Sequence, residues 1–483
     1  MNILLVSTYE LGTRPLGCTV PAALLAEAGH QTEAVDLSLE ALRDDDVSWA
    51  DGVALSVPMH TALRLGLRVL ERVRAVAPRV PLFVHGLYAE AAADAFAGRL
   101  GPGDVCAAGE VGSALLAWAA ALKRPVPPPF ARRRALGSPK PAHRPAQARA
   151  GLPGLERYAG LQIGDEVRLV GTIETTSGCN HRCRHCPVPV VYGGRSRPVA
   201  LESILADADA MVAEGATHLH LADPDFVNRP AHARSVLETL SRRHRGLSFD
   251  ATVKVSHILR HRELFAELAA FGLVLVTTAV ESTSDVVLAH LDKGHTRADA
   301  VAALGWLRSL SIEVRPSLLP FTPWSTAADL LDLLDFVAEE DLVESVDAVQ
   351  YGIRLLLPPG SLLAADPDPV LAASLVGEDP AIPGTAWRHL DPAIDALQVT
   401  VAALAEQLDQ AGAGAREGYE AIRAAYFAGL RRPASPAPAP RSVATAPRPR
   451  LTESWFCCAE PTTAQLSALG AGSAADAGGG AAC

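Results

Sequence analysis

The chain has 483 residues, with 43 Lys or Arg against 54 Asp or Glu, a formal net charge of −11. That balance argues against general nucleic-acid binding, and no run of about 18 uncharged apolar residues reads as a membrane span. Apolar residues make up 49% and aromatics only 5%, so the length predicts two or three domains, each with its own core. The opening "MNILLVSTYE" has no basic stretch ahead of an apolar one and does not read as a signal peptide. A reducing cytoplasm is therefore the expected compartment, and eight cysteines in so long a chain do not make a disulfide scaffold.

Residues 1–124 alternate strand and helix signals: "NILLVS", "TEAVDLS", "GVALSVPM", "PLFVHG" and "DVCAAGE" are short strands, with helical stretches such as "TALRLGLRVLERVRAVA" between them. Five strands separated by helices predict a doubly wound parallel sheet, whose ligands bind beyond the carboxyl ends of the strands. Those ends carry Ser7-Thr8-Tyr9, Ser56-Val57-Pro58-Met59-His60, His85-Gly86-Leu87 and Gly109-Glu110. Residues 125–155 are rich in proline and basic side chains and read as a structure-poor linker. Residues 156–370 alternate again, with strands expected near 168–176, 217–222, 248–255, 273–280, 311–319 and 346–356. This predicts a partial (β/α)6 barrel. Residues 371–431 are a C-terminal helical region, 432–450 a Pro/Ala spacer and 451–483 a tail, "LTESWFCCAEPT" followed by Ala and Gly. The fold class is α/β throughout, closed by helices and an extended tail.

The stretch "TTSGCNHRCRHCPVPVVYGGR" places Cys179, Cys183 and Cys186 within eight positions. It follows a strand, at the edge where barrels put their chemistry. Thiolates so spaced wrap one compact metal centre. Structural zinc needs four ligands, and His181 and His185 sit inside the loop with little room to close a tetrahedron. An iron–sulfur cube held by three cysteines instead leaves one iron open.

C-x-x-x-C-x-x-C after the first strand of a partial barrel resembles the radical S-adenosylmethionine (radical SAM) superfamily. The resemblance implies a [4Fe-4S] cluster on Cys179, Cys183 and Cys186. It also implies SAM chelated at the open iron, a 5'-deoxyadenosyl radical, and an electron donor of the flavodoxin or ferredoxin kind. His185 stands where the family usually has an aromatic residue. In "TTAVESTSDVVLAHLDKGHT", Glu281 and Ser282 match a polar pair that touches SAM in relatives. The family's glycine-rich segment is replaced by "HLADPDF", where Asp223 and Asp225 either contact SAM or substrate or cap the next helix. Arg315 and Arg354 lie late on the fifth and sixth strands, for a carboxylate of SAM or substrate or for a salt bridge. Arg195 and Arg197 offer a further anion contact.

A five-stranded parallel domain ahead of such a barrel resembles the cobalamin-binding domain of the B12-dependent subgroup. Ser7 lies at the first strand exit, and Ser56, His85 and Gly86 match later parts of that pattern. The histidine that supplies a lower cobalt ligand is absent from the loop Ser7-Thr8-Tyr9-Glu10-Leu11-Gly12. His60 is the nearest alternative, or merely a solvated side chain. The resemblance implies cobalamin and methylation of an unactivated centre of a small molecule. The alternatives are a corrin-free radical enzyme with a redox or metal(loid)-binding dithiol, and a protein whose cluster is structural.

That dithiol is "WFCCAEP", residues 455–461, similar to a small group of radical SAM proteins named for a CCAEP tail, some with selenocysteine at the second position. Extended, the spacer reaches far enough for Cys457 and Cys458 to fold over the barrel mouth. Adjacent α-carbons lie about 3.8 Å apart, below the usual disulfide range, so a bridge there is strained and the pair suits redox cycling or a soft ion. Cys18 and Cys106 read as core residues and Cys483 as a terminal thiol.

Overall fold

The computed structural model describes residues 1–135, 140–378, 384–441 and 447–470; Cys483 lies outside the described residues. The first sheet contains β1 (Asn2–Ser7), β2 (Gln31–Asp36), β3 (Gly52–Ser56), β4 (Leu82–His85), β5 (Val105–Gly109) and β6 (Ala131–Ala135), all parallel in the order β2-β1-β3-β4-β5-β6. Its four central strands are buried on both faces. Leu4, Val6, Leu55 and Val84 enter one core, and Ile3, Leu5, Ala54 and Phe83 the other. The chain runs from β1 outward to β2 and returns to β3, so the order reverses between β1 and β3. Ser7 and Ser56 are register partners at that switch point.

Helix α1 (Leu16–Glu27) packs on one face of the sheet and α2 (His60–Val76) on the other. Helix α2 buries Leu63, Gly66, Leu70 and Val73, an i, i+3, i+4 stripe.

The stretch expected to lack structure departs from that expectation. Ala131–Ala135 covers the open edge of β5 as the sixth strand, and its arginines make a charged outer edge. Beyond it, Gln147 accepts from Thr19 Oγ1 (2.7 Å), while Arg144 pairs with Glu174 (3.0 Å) and Asp207 (3.2 Å). This segment buckles the first sheet to the barrel.

The barrel sheet holds β7 (Val170–Ile173), β8 (His218–Leu221), β9 (Ser248–Thr252), β10 (Leu273–Glu281) and β11 (Glu313–Leu318), parallel and in chain order. The sixth strand expected over 346–356 does not form; Ala348–Gly352 is a 3-10 turn. The buried Gln350 side chain does the work of a strand there. It accepts from Leu318 N (2.9 Å) and donates to Pro316 O (3.2 Å), satisfying the open side of β11. Helices α4 (Pro392–Gln410) and α5 (Ala415–Gly429), numbered after the short α3 (Pro187–Tyr192), close this side. Gln398 donates to Gly352 O (2.9 Å) and Tyr426 to Tyr351 O (2.5 Å). No helix among the described residues is long and apolar enough to cross a membrane.

Candidate active site

The three-cysteine loop leaves β7 under tight control. Thr176–Gly178 pairs antiparallel with Ser196–Pro198. Gly178 has φ +73, and a Cβ there would lie 2.3 Å from the Arg195 carbonyl oxygen, so only glycine fits. The buried Asp223 carboxylate accepts from Thr175 N (2.7 Å), Thr175 Oγ1 (2.6 Å) and Thr176 Oγ1 (2.7 Å). Those bonds make it the fastener of the loop. Asp225 sits between His181 (3.4 Å) and His257 (3.0 Å), and one ligand atom from each of the three lies within 4.8 Å of the others.

Cys179 and Cys183 are buried, Cys186 half-buried, and all three are free thiols. Asn228 Oδ1 accepts from Asn180 N (3.0 Å) and lies 3.7 Å from Cys179 Sγ. Pro187 starts α3 directly after Cys186, with proline at the first helical turn. Behind the loop, Glu281, with φ +63 at the end of β10, meets Lys293 Nζ (3.0 Å) and His185 Nε2 (3.5 Å). Burial opposes ionisation of Glu281, yet Lys293 and His185 hold its carboxyl well below the usual range. Ser282 Oγ accepts from Ser284 N (3.1 Å), turning the chain out of the strand.

Burial pushes the Cys186 thiol up to about 12 and raises Cys179. Such thiols ionise when a positively charged metal centre sits beside them. Three converging thiols with a buried Lys293 behind them fit an iron–sulfur cluster.

The carboxyl edge of the first sheet faces this loop. Ser177 Oγ donates to Glu110 (3.1 Å), Arg197 Nε lies 3.6 Å from Glu110, and Val191 of α3 enters the core under β3 and β4. Along that edge Ser7 Oγ and His85 Nε2 are buried without a hydrogen-bond partner. Burial lowers His85 to about 4. Gly86 has φ +115, and a Cβ there would lie 2.8 Å from the Val57 backbone. The two unpartnered polar atoms fit a polar cofactor lying on the edge, while glycine at 86 is required by the close approach of the Val57 backbone. Ser56 Oγ is engaged by Glu10 Oε1 (3.1 Å), which also accepts from Gly17 N (3.2 Å), and burial raises Glu10 to about 7.

The tail crosses the gap between the two edges. Arg450–Leu451 pairs with Leu161–Ile163. Glu453 then accepts from Tyr9 OH (3.1 Å), and Thr61 Oγ1 donates to Ala459 O (2.7 Å). His60 is buried and its Nε2 pairs with Glu460 (2.8 Å), so it is not a solvated side chain. Arg315 bonds Asp347 (2.7 Å) and Glu453 O (2.9 Å) and lies over the Phe456 ring. Arg354 stacks on Trp387 (4.1 Å) and donates to its carbonyl (2.5 Å). Both guanidiniums therefore meet protein partners, the salt-bridge arm of the sequence expectation.

Cys457 Sγ and Cys458 Sγ stand 3.6 Å apart, unbonded. The hydrogen bond between them holds the Cys457 thiol below its ordinary value and Cys458 above. Charge on Glu281 and on Cys186 helps raise Cys458. Cys458 also lines a cavity of about 810 Å³ with His60, Tyr88, Trp387, Trp455 and Glu460.

The Radical SAM superfamily model matches residues 173–337, from the end of β7 through the helix Ala327–Glu339. The chain carries a radical SAM domain. It is similar to a tRNA-2-methylthio-N(6)-dimethylallyladenosine synthase of Desulfosudis oleivorans, 29% identical over 216 residues, 42% of this chain and 45% of that protein. It is also similar to a tryptophan 2-C-methyltransferase of Streptomyces laurentii, 28% identical over 102 residues, 20% of this chain and 17% of that one. The matched stretch thus spans less than half of either relative. Among solved structures, the radical SAM methyltransferase TsrM from Kitasatospora setae, with tryptophan and a SAM analogue bound, superposes with TM-score 0.55 at 20% identity, covering 69% of this chain and 70% of that one. The cobalamin-dependent radical enzyme OxsB, in its apo form, gives 0.62 at 16%, covering 84% and 66%. These establish a shared two-domain fold. With the family match, the cysteine loop marks residues 173–337 as a radical SAM domain.

Lys293 and Glu10 were not singled out in the sequence. Lys293 sits in "DKGHT", 12 positions after Glu281, a spacing that carries no signal until β10 and its exit loop bring the two together. Glu10 reads as a loop carboxylate until the turn at Gly17 closes over it.

Proposed function

We propose that this radical SAM enzyme acts on a small molecule in the chamber between sheet edge and barrel mouth, with cobalamin on the edge, and methylates an unactivated centre. The observation that carries the reading is the docking of the cysteine loop against the sheet edge, with Ser7 Oγ and His85 Nε2 left unpartnered beside it. Cys179, Cys183 and Cys186 would hold a [4Fe-4S] cluster. Glu281, Ser282 and the unpartnered Arg197 Nη1 would receive the polar ends of SAM. Ser7, His85 and Gly86 would take the corrin, with Ser56 turned toward Glu10.

When bound, the cluster supplies the electron that cleaves SAM to a 5'-deoxyadenosyl radical, and methylcobalamin supplies the methyl group. The chain's own residues exclude water: the tail covers the exits of β1 and β3, and Trp455 and Phe456 line the gap. The electron would come from a carrier of the flavodoxin or ferredoxin class.

Anaerobic purification with cluster and cobalamin reconstitution tests this. A cluster spectrum, a corrin band and 5'-deoxyadenosine from SAM are expected. A second reading, a corrin-free radical enzyme, is favoured by the tail's seat on Tyr9, His60 and Thr61, part of the edge a corrin needs. SAM cleavage without corrin binding selects it.

A further inference from the structure

We infer that Cys457 and Cys458 chelate a trivalent metalloid centre that carries an organic group, with that group lying in the interdomain cavity. The inference deepens the radical reading by naming a substrate class for its chamber.

Three observations point there. First, the two sulfurs stand 3.6 Å apart. A pyramidal trivalent centre with bonds near 2.3 Å and an angle a little under 100° spans two sulfurs at roughly 3.4 Å, close to the observed separation, whereas a disulfide needs about 2.05 Å. Adjacent cysteines also start from α-carbons too close for an easy disulfide. The pair is set at chelate span.

Second, the pair is held in place. Glu453 and Glu460 on either side are fixed to Tyr9 and His60, and Thr61 grips the Ala459 carbonyl. Trp455 Nε1 donates to Glu460 O (2.9 Å), closing the segment on itself. Chelation gains most when both donors are already ordered.

Third, Cys458 opens on a cavity of about 810 Å³, walled by Trp387, Trp455, Tyr88 and Ala402. A bare oxyanion would leave such a space empty. A trivalent centre has three valences: two thiols take two, and the third bears the carbon group that fills the apolar space. Thiolate pairs prefer soft centres.

The step balances without an oxidant. With R–As(OH)₂, two As–O bonds break and two As–S bonds form; each thiol proton leaves with a hydroxide as water. Arsenic stays trivalent.

The test uses the reconstituted holoenzyme, whose cluster occupies Cys179, Cys183 and Cys186, titrated with phenylarsine oxide and separately with arsenite. One phenylarsenic per chain is expected by mass, held against dithiothreitol. Cys457→Ser and Cys458→Ser should each weaken binding at least about 100-fold, because the effective concentration of the second thiol is lost. Ala402→Trp should weaken phenylarsine oxide about tenfold, the cost of roughly 1.4 kcal/mol, and leave arsenite unchanged. Label persisting in the Cys457→Ser/Cys458→Ser double variant overturns the inference. So does release to dithiothreitol as ready as from the urea-unfolded chain, or equal loss of both probes in Ala402→Trp. Cluster absorbance and 5'-deoxyadenosine formation are read on the same samples. Their failure strikes the radical reading, whereas loss of arsenic binding with both intact strikes the tail site alone.

Discussion

The protein builds two cysteine sites from one residue type by opposite means. Cys179, Cys183 and Cys186 sit on a loop whose ends are a strand and a helix, with Gly178 and Asp223 setting its exit. Cys457 and Cys458 sit on a strap held in place by side chains of both domains. The difference teaches that a thiol site is built into a fold when it must hold a cofactor permanently. It is laid across a fold when access to the chamber matters.

The sharpest way to break that contrast is to remove one thiol from each. Cys183→Ala should reduce iron content and drop SAM cleavage to background, whereas Cys457→Ala should retain both, measured by iron assay and 5'-deoxyadenosine formation. Equal losses would erase the division of roles. Next in size is Lys293→Met. It leaves the Glu281 carboxylate buried without its cation, so the barrel should lose about 3–5 kcal/mol in urea unfolding. Lys293→Arg should recover part of it.

The sheet edge under the tail sharpens the contrast through pH. His85 is held down to about 4 from 6.5 by burial, so its share of stability is full above 6.5 and is lost as pH falls toward 4. Glu10 is held up to about 7 from 4.5, so its share is full below 4.5 and is lost as pH rises through 7. Between pH 5 and 6 the two slopes oppose, each up to about 1.4 kcal/mol per pH unit. Relative to the parent, Glu10→Gln should make stability rise more steeply with pH and His85→Asn should make it fall. Urea midpoints at pH 5 and 6 give the sign. The smallest effect belongs to Thr61→Val, which removes one bond from the strap, worth about 1 kcal/mol. Alkylation of Cys457 and Cys458 should then quicken about fivefold while Cys179 is unaffected.

Much of this was legible in residue order. The buried runs "NILLVS" and "GVALS" alternate with amphipathic helices, and that periodicity specifies a parallel sheet wherever it occurs. The cysteine spacing specified its loop because thiol, glycine and proline act locally. The failures share a cause. Alternation of strand and helix predicts a sixth strand over 346–356, but Gln350 lends its side chain to β11 and removes the need for one. The Pro-rich stretch reads as structure-poor, yet β5 offers it an edge. Arg315 and Arg354, expected to meet either an anion or a salt-bridge partner, reach Asp347 and Asp395 only once the fold brings those carboxylates near.

By itself the sequence determined the two α/β halves, the three-thiol loop and the presence of a second thiol pair, since each depends on neighbours a few residues apart. Only the tertiary structure decided that the tail lies between the halves, that Glu281 meets Lys293, and that Cys458 faces a chamber. Those depend on contacts across tens to hundreds of residues, such as the 444 that separate Tyr9 from Glu453, where order along the chain carries no distance information until the cores have formed.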